Sequence, residues 1–363
     1  MENGISIYPG IGNNMTENLT LLDRAANQGL MRLFVSLYVP GMENDIAKAE
    51  LIGLLRAARD KGFDINLDIS PQALTTLGLQ NLKNLTGFRM LGVSALRLNW
   101  DFKAEEVAVL SKNRQRIRIQ LNASTITGNL LTALIQANTN FTGMEAIHNF
   151  YPRPGTGLNE DTLVRKTAML HKVGLKVGAF VPSMGKKMGP LYDGLPTMED
   201  HRGLLASIAA RHLIALGVDF VLLGDSFPRL EEMESLRELK EDEVILHAHM
   251  TTSDPVQQEL LHHSFTARVD EARDAVRAQE SRRLLSGLIL PENNWERPTG
   301  SITIDNDEYR RYMGELEILK YPLPADNRVN VVGYVDEDNA FLLDYITPGR
   351  KFSFIFPRQK KSA

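Results

Sequence analysis

The chain has 363 residues, of which 43% are hydrophobic and 24% are charged, and its formal net charge is -4 at pH 7. These values are those of an ordinary globular protein, and the length suits a large domain with a smaller one. Lys and Arg are scattered and cysteine is absent, so the composition excludes a basic face for nucleic acid, a polybasic membrane anchor, disulfides and thiolate zinc sites.

The amino-terminal residues give no sign of a targeting segment. Residues 1–8 contain neither the charged region nor the apolar region of a secretory signal, and no apolar run reaches the roughly 18 residues of a membrane span. We therefore predict a cytoplasmic protein that does not contact a membrane. We predict no cofactor, and the oligomeric state stays open, with a homo-oligomer among the alternatives.

The first two-thirds of the chain repeats a short apolar strand, a polar loop and an amphipathic helix. Eight strands are predicted, over residues 5–8, 32–38, 64–69, 95–100, 117–122, 144–150, 176–181 and 220–224. Helical patterns between them include 18–28, 46–61, 74–82, 104–112, 159–173 and 199–216. This alternation favours an α/β fold, a (β/α)8 TIM-like barrel, over an open doubly wound sheet.

Two further signals complete the predicted organisation. Several helices end at a glycine, as a left-handed cap residue would require, namely at Gly29, Gly62, Gly174 and Gly217. After Asp225 a closing helix over 228–240 precedes strand patterns at 244–250, 301–304, 314–320, 328–335, 341–344 and 352–356. We therefore place the barrel in residues 1–241 and a small, mostly antiparallel β-barrel or sandwich in residues 242–363.

Polar side chains stand at the carboxyl ends of the predicted barrel strands, which is where the active residues of such barrels lie. Members of each pair are two residues apart and so point to the same face. A mouth with this many hydrogen-bonding groups suits a polyhydroxylated ligand such as a sugar; the alternative is that these groups satisfy one another inside the barrel. They are Ser6 and Tyr8, Ser36 and Tyr38, Asn66 and Asp68, Arg97 and Asn99, Gln120 and Asn122, and Glu145, Asn149 and Tyr151.

Asp68 and Glu145 are the predicted catalytic carboxylates, because both are placed late in a strand among polar neighbours. Two carboxyl groups that flank a sugar can cleave a glycosidic bond, one by protonating the leaving oxygen and the other by attacking or by activating water. We take Glu145 as the proton donor. For Asp68 the alternative is an ion pair with Arg97 on the next strand. Asp225 is a weaker third candidate, with helix capping as its alternative.

Three other features invite a functional interpretation. His148 is a candidate acid or base, phosphate contact or metal ligand, although no second ligand lies nearby at a helical spacing, and a hydrogen-bonding wall is its alternative. The loop over 182–190 is rich in glycine and contains Lys186 and Lys187, and loops after the seventh strand of such barrels often bind phosphate. Thr197 is predicted to cap the helix that follows this loop.

Four segments of the chain together resemble the 6-phospho-N-acetylmuramidase family, and the resemblance spans nearly the whole chain. The second of them is the most specific. They are Gly4-Ile-Ser-Ile-Tyr-Pro-Gly10, Glu145-Ala-Ile-His-Asn-Phe-Tyr-Pro-Arg153 with Thr156-Gly157, Gly189-Pro-Leu-Tyr-Asp-Gly-Leu-Pro-Thr197 with His201-Arg202, and Arg297-Pro-Thr-Gly-Ser-Ile-Thr-Ile-Asp-Asn306 with Tyr309 and Tyr312-Met-Gly-Glu-Leu316.

The resemblance implies a barrel followed by a cyclophilin-like β-domain, in a cytoplasmic enzyme that recovers cell-wall sugars. It also implies hydrolysis of the β-1,4 bond of a disaccharide whose N-acetylmuramic acid carries a 6-phosphate. The roles of individual residues rest on strand position. Sugar hydroxyls and the acetamido group are assigned to Tyr8, Asn99, Asn149 and Tyr151, with Asn66, Asn122 and His148 as further binding residues. The anionic groups are assigned to Arg97, Arg153, Lys186 or Lys187, and Arg297, for which a surface arginine is the alternative.

Two rival functions remain open at this stage. One is an aldolase, lyase or isomerase that acts on a sugar phosphate, which would normally use a lysine inside the barrel or a metal cluster. Lys176 stands at the wrong end of its strand for that role. The other is a phosphosugar-binding protein without catalytic activity.

Overall fold

The computed structural model of the protein describes residues 2–36, 45–69, 84–98 and 102–356. The predicted helix over 74–82 and two of the polar candidates, Tyr38 and Asn99, lie outside these ranges. The chain divides into two compact units, Met1–Glu238 and Leu239–Ala363. In the part of the chain that the structure describes, none of the helices has the length and apolar character to span a membrane.

The first unit is a closed barrel of eight parallel strands in chain order, which confirms the predicted fold class. β1 pairs with β2 on one side and with β8 on the other, and this last pairing closes the barrel. The strands are β1 Gly4–Ile7, β2 Arg32–Ser36, β3 Asp64–Ile69, β4 Val93–Leu98, β5 Arg118–Asn122, β6 Met144–Ile147, β7 Val177–Val181 and β8 Phe220–Leu223.

Helices connect the strands of the barrel. They are α1 Met15–Asn27, α2 Asp45–Asp60, α3 Thr86–Met90, α4 Ala104–Leu110, α5 Gly128–Gln136, α6 Glu160–His171, α7 Ala206–Ala215 and α8 Leu230–Arg237. Asn14 precedes α1 and forms a capping box. Its side-chain oxygen accepts from the Glu17 backbone N–H, and the Glu17 carboxylate accepts from the Asn14 backbone N–H. The predicted glycine stops are confirmed, since Gly174 and Gly217 have φ of 79° and 93°.

The interior of the barrel is layered, and β2 shows the order of the layers. Arg32, Phe34 and Ser36 follow one another at intervals of two and are all buried. Arg32 forms an ion pair with Glu145, and Phe34 belongs to an apolar cluster, whereas Ser36 lines a cavity. The cluster contains Tyr8, Phe34, Ile147, Phe180, Leu195, Phe220 and Leu222. An apolar layer therefore lies between a charged layer at the amino ends of the strands and a polar cavity at their carboxyl ends.

The second unit contains a seven-stranded sheet, as the β-rich pattern predicts. Its strand order is β10-β15-β9-β14-β12-β13-β11, and all pairings are antiparallel except that of β9 with β15. Two helices, α9 Pro255–Leu261 and α10 Ser281–Leu284, accompany it. The strands are β9 Glu243–Met250, β10 Phe265–Thr266, β11 Ala275–Arg277, β12 Ser301–Asp305, β13 Leu316–Leu319, β14 Val329–Val335 and β15 Lys351–Ile355.

The strand predicted over 341–344 is wrong. These residues lie in the 3-10 segment Glu337–Tyr345. Asn339, Leu342 and Leu343 are its buried residues, and their spacing of three and four places them on one face of a helical turn rather than on alternate faces of a strand.

Candidate active site

A cavity of about 310 Å³ opens at the carboxyl ends of the barrel strands. Four of its lining residues, Tyr8, Ser36, Asp68 and Arg97, lie within one residue of the carboxyl end of a strand, where the sequence predicts the functional groups, and Asn149 and Phe150 follow β6 closely. The apolar part of the wall includes Phe150, whose ring meets those of Tyr8, Phe34 and Phe180 edge to face. The lining residues are Tyr8, Ile11, Ser36, Asp68, Arg97, Asn149, Phe150 and Met188.

Among the described residues, Asp68 is the carboxylate that lines this cavity. Its Oδ2 accepts a hydrogen bond from Ser36 Oγ at 3.2 Å, and its Oδ1 lies 3.4 Å from Arg97 Nη1. Oδ1 makes no hydrogen bond within the described part of the chain. Burial raises the pKa of Asp68, although the charge of Arg97 and the hydrogen bond from Ser36 oppose the rise. The predicted ion pair with Arg97 is therefore present, and one carboxylate oxygen still lacks a hydrogen-bond donor.

Arg97 joins Asp68 to Asn149. Its Nη2 donates to Asn149 Oδ1, and its guanidinium lies 5.8 Å from the centre of the Phe34 ring. Its side chain is 3% exposed. A guanidinium remains charged at any physiological pH, so the cavity contains a buried positive charge beside a buried carboxylate.

His148 is buried near Arg97 but does not line the cavity. Its Nδ1 lies 3.3 Å from Ser124 Oγ, and its Nε2 lies 3.1 Å from Thr167 Oγ1. Burial, with the nearby charges of Lys166 and Arg97, lowers the pKa of His148 to about 3. The imidazole is therefore neutral at physiological pH, as the interpretation of a hydrogen-bonding wall requires.

Tyr8 lines the cavity with a neutral phenol. Its hydroxyl donates to the carbonyl oxygen of Gly224 at 2.6 Å, and burial raises its pKa well above 10. With its hydrogen bonded to Gly224, the phenol oxygen can still accept a hydrogen bond from a sugar hydroxyl.

Asp225 does not cap a helix. Its carboxylate accepts from the backbone N–H groups of Ser183, Met188 and Leu195 at 2.8, 3.1 and 3.4 Å, all in the segment that follows β7. Burial raises the pKa of Asp225, and the nearby charge of Lys187 opposes the rise. The carboxylate thus shapes the loop that brings Met188 to the cavity, while Lys187 lies near Asp225 and does not line the cavity.

The loop after β6 carries Tyr151, which is partly buried, and Arg153, which is exposed. The carboxylate of Glu199 accepts from the backbone N–H groups of Gly155 and Gly157 at 2.9 and 2.7 Å. Arg202 donates two hydrogen bonds to the Glu199 carboxylate and one to the Tyr151 carbonyl oxygen, the last at 2.9 Å. These bonds lower the pKa of Glu199 to about 2, the bond from Arg202 most strongly.

Sequence reasoning did not single out Glu199 or Arg202 as site residues. The signal that could have found them is the third resemblance segment, which includes Arg202 and within whose span Glu199 lies. The helix predicted to begin at Thr197 is also wrong, because the chain forms a short 3-10 turn there and α7 starts later, at Ala206. The Thr197 hydroxyl instead donates to the Asn149 carbonyl oxygen at 2.9 Å and accepts from the Phe180 N–H, so it connects its own loop to β7 and to the segment that follows β6.

Glu145 is the second residue of β6 and not a late one, so the sequence-based placement needs correction. Its two oxygens both lie 2.9 Å from Arg32 Nη1, and Gln120 Nε2 donates to Oε1 at 2.9 Å. Arg118 Nε lies 3.4 Å from Oε2. Arg32 and Arg118 are the first residues of their strands, so Glu145 belongs to the charged layer and does not line the cavity.

The structure places the remaining candidates away from the cavity wall. Asn66 is buried on β3 two residues before Asp68, opposite Phe34 and Ala95 in the strand register. Asn122 closes the turn after β5, where its Oδ1 accepts from the Ser124 N–H at 3.0 Å. No group of three or more histidine, cysteine, aspartate or glutamate side chains suited to a metal ion occurs in the described ranges.

Arg297 lies in the second unit and is buried rather than on the surface. Its Nε donates to the Pro324 carbonyl oxygen at 2.9 Å. Burial and the charges of Glu317 and Glu315 raise the pKa of Asp305 to about 8, and the positive charge of Arg297 opposes this rise. Within its own unit, Arg297 therefore stabilises a group of buried carboxylates.

Comparison with known proteins gives two family matches. The profile described as "6-phospho-N-acetylmuramidase, N-terminal" matches residues 3–238, and the one described as "6-phospho-N-acetylmuramidase, C-terminal" matches residues 244–355. A solved structure of an uncharacterized B. cereus protein is 29% identical, with a TM-score of 0.82 over 98% of this chain and 100% of that chain. A conserved Enterococcus faecalis protein of unknown function is 31% identical, with a TM-score of 0.68 over 99% and 97%. No curated protein matches the chain.

Proposed function

This chain belongs to the 6-phospho-N-acetylmuramidase family, and we propose that it is a glycoside hydrolase of cytoplasmic cell-wall sugar recovery. Its substrate in this proposal is a disaccharide of 6-phosphorylated N-acetylmuramic acid and N-acetylglucosamine, joined by a β-1,4 bond. The observation that carries the proposal is the cavity at the carboxyl ends of the strands, where Asp68, Arg97, Asn149 and Tyr8 come together.

We assign Asp68 as the general acid. Burial raises its pKa, which favours the protonated form that can donate to the leaving oxygen of a glycosidic bond. Asp68 lines the cavity, and its Oδ1, which is buried 3.4 Å from Arg97 Nη1, makes no hydrogen bond among the described residues. Glu145 is not part of this assignment, because Arg32 and Gln120 already occupy both of its oxygens in another layer of the barrel.

The polar groups around Asp68 are assigned to binding. Tyr8 and Asn149 hold sugar hydroxyls or the acetamido group, and Arg97 contributes the positive charge that an anionic sugar requires. Arg153 lies exposed on the loop after β6, where we propose that it contacts the phosphate or the lactyl carboxylate.

The test is to incubate the purified protein with the 6-phosphorylated disaccharide and, separately, with its unphosphorylated form, and to identify the products by mass spectrometry. We expect cleavage of the phosphorylated disaccharide into its two sugars. Asp68→Asn should lower kcat by at least about 100-fold, the usual contribution of a general acid. Tight binding without a product would indicate a binding protein, a rearranged sugar would indicate an isomerase, and near-normal turnover by Asp68→Asn would remove the assignment.

A further inference from the structure

The imidazole of His148 is placed to fix the direction of a hydrogen-bond chain. It is fully buried, one residue beyond the end of β6, and each ring nitrogen faces a hydroxyl. The two hydroxyls come from different elements, since Ser124 follows β5 and Thr167 lies on α6. A neutral imidazole has one donor nitrogen and one acceptor nitrogen, so only two arrangements of the ring hydrogen are available.

Ser124 lies where it can favour one of these arrangements. Its Oγ accepts a hydrogen bond from the Asn149 backbone N–H at 2.9 Å, and its own hydrogen remains free to point at His148 Nδ1. In the arrangement that we infer, Nδ1 is the acceptor and the ring hydrogen is on Nε2, toward Thr167. The nearest charges, on Lys166 and Arg97, are both positive and oppose a second proton on the ring.

The series of hydrogen bonds from His148 reaches the cavity through Asn149. The backbone of Asn149 is held at its N–H by Ser124 and at its carbonyl oxygen by Thr197. Its side-chain oxygen accepts from Arg97, whose other terminal nitrogen lies 3.4 Å from Asp68. The orientation of the guanidinium against the carboxylate therefore depends on where the Asn149 backbone is held.

We propose that His148 and Ser124 are positioning residues: the neutral imidazole orients the Ser124 hydroxyl, which holds Asn149 so that its carboxamide sets Arg97 against Asp68. This inference rests on the proposed function of the cavity, since it assigns a role to groups that do not touch the substrate. Because displacements of about 1 Å can cost about 100-fold in rate, the loss of one hydroxyl at a distance from the substrate should be measurable.

The first experiment measures kcat and KM on the phosphorylated disaccharide. Ser124→Ala should lower kcat about 10- to 100-fold with a smaller change in KM. His148→Phe, which keeps a flat ring without nitrogens, should cause a similar loss. His148→Gln, which can still offer an acceptor to Ser124, should recover part of the activity.

Thr125→Ala is the matched control, because it removes the neighbouring, exposed hydroxyl, whose contact is with the Asn122 carbonyl oxygen. It should behave as wild type. Thermal unfolding of every variant separates a lost fold from a lost orientation. Wild-type kcat in a folded Ser124→Ala variant would overturn the proposal, and so would equal losses in Ser124→Ala and Thr125→Ala.

The second experiment needs no substrate. In protein labelled with ¹⁵N-histidine, the signals of His148 are identified by their loss in His148→Gln. We expect Nε2 to be protonated and Nδ1 unprotonated, with no change between about pH 5.5 and 8. A proton on Nδ1, or titration near the ordinary value, would overturn the proposal. Absence of turnover in the wild type would instead contradict the proposed function. The ¹⁵N signals of His148 would still test the proposed position of its ring hydrogen.

Discussion

At the scale of single residues, Asp68 and Glu145 show how two similar carboxylates come to different uses. Both are buried and both lie beside an arginine. Glu145 has both oxygens engaged by Arg32, with Gln120 as a second donor, whereas Asp68 keeps Oδ1 without a hydrogen bond in the described ranges. A carboxylate whose oxygens are both hydrogen-bonded in an inner layer stabilises the fold, whereas one that lines a cavity can act on a ligand.

Replacing Glu145 should therefore affect stability rather than turnover. Glu145→Gln leaves the guanidinium of Arg32 without its buried charged partner, and removing one member of a buried pair typically costs about 3 to 5 kcal/mol. Glu2→Gln is the matched control, because Glu2 pairs with the same arginine but its side chain is 75% exposed, and its loss should change little. Urea unfolding measures both. Unchanged stability together with abolished turnover in Glu145→Gln would restore Glu145 as a catalytic candidate.

At the scale of elements, the loops after β6 and β7 form one side of the candidate site and are tied together by side chains. Arg202 donates to carbonyl oxygens of both segments, those of Tyr151, Asp193 and Gly194. Glu199 holds two N–H groups of the loop after β6. The ion pair of Glu199 with Arg202 therefore holds the two loops together.

Weakening this connection should change binding more than chemistry. Arg202→Lys keeps the charge but cannot form the two-pronged contact with Glu199. We expect KM for the phosphorylated disaccharide to rise about 3- to 10-fold with a smaller change in kcat. Asp200→Asn alters the exposed neighbour of Glu199 and should leave both constants unchanged. An unaltered KM in Arg202→Lys would show that the connection does not shape the binding site.

At the scale of the whole molecule, buried neutral histidines link folding to pH. His148 and His201 each have a pKa lowered to about 3, chiefly by burial, and His201 Nε2 lies 2.9 Å from Nδ1 of His212, whose pKa is also lowered. When the chain unfolds, each ring regains an ordinary pKa near 6.5 and binds a proton that the folded protein excludes.

The free energy of unfolding should therefore be highest above about pH 6.5 and should fall as the pH is lowered from there toward 3. Each such histidine contributes a slope of about 1.4 kcal/mol per pH unit. The raised pKa values of Asp68, Asp225 and Asp305 act in the opposite sense and flatten the fall, and that of Asp305, about 8, does so over this whole pH range. Urea unfolding at about pH 7.5 and 5.5 measures the slope, which should be shallower in His201→Gln. Equal stability at both pH values would contradict this prediction.

The sequence alone determined the barrel and the second β-rich unit, because strands, helices and their stops are written in short-range patterns. The strand Asp64–Ile69 was predicted to the residue, and Asp68 with Arg97 could be paired because neighbouring strands bring them into contact. Sequence-based prediction misplaced the end of one strand. β6 ends at Ile147 and not at Phe150, since the Asn149 N–H donates to the Ser124 hydroxyl instead of to a neighbouring strand.

Only the tertiary structure decided which polar residues meet. Arg97, Gln120 and Glu145 are register partners on successive strands, yet Arg97 lines the cavity whereas Glu145 contacts the first residue of β2. The strands of such a barrel are tilted by about 36°, so partners in register lie at different heights along the barrel axis. Glu199 and Arg202 likewise contact a loop that lies more than forty residues earlier in the sequence. Such contacts form only when the barrel brings the two loops together, and no local sequence pattern predicts them.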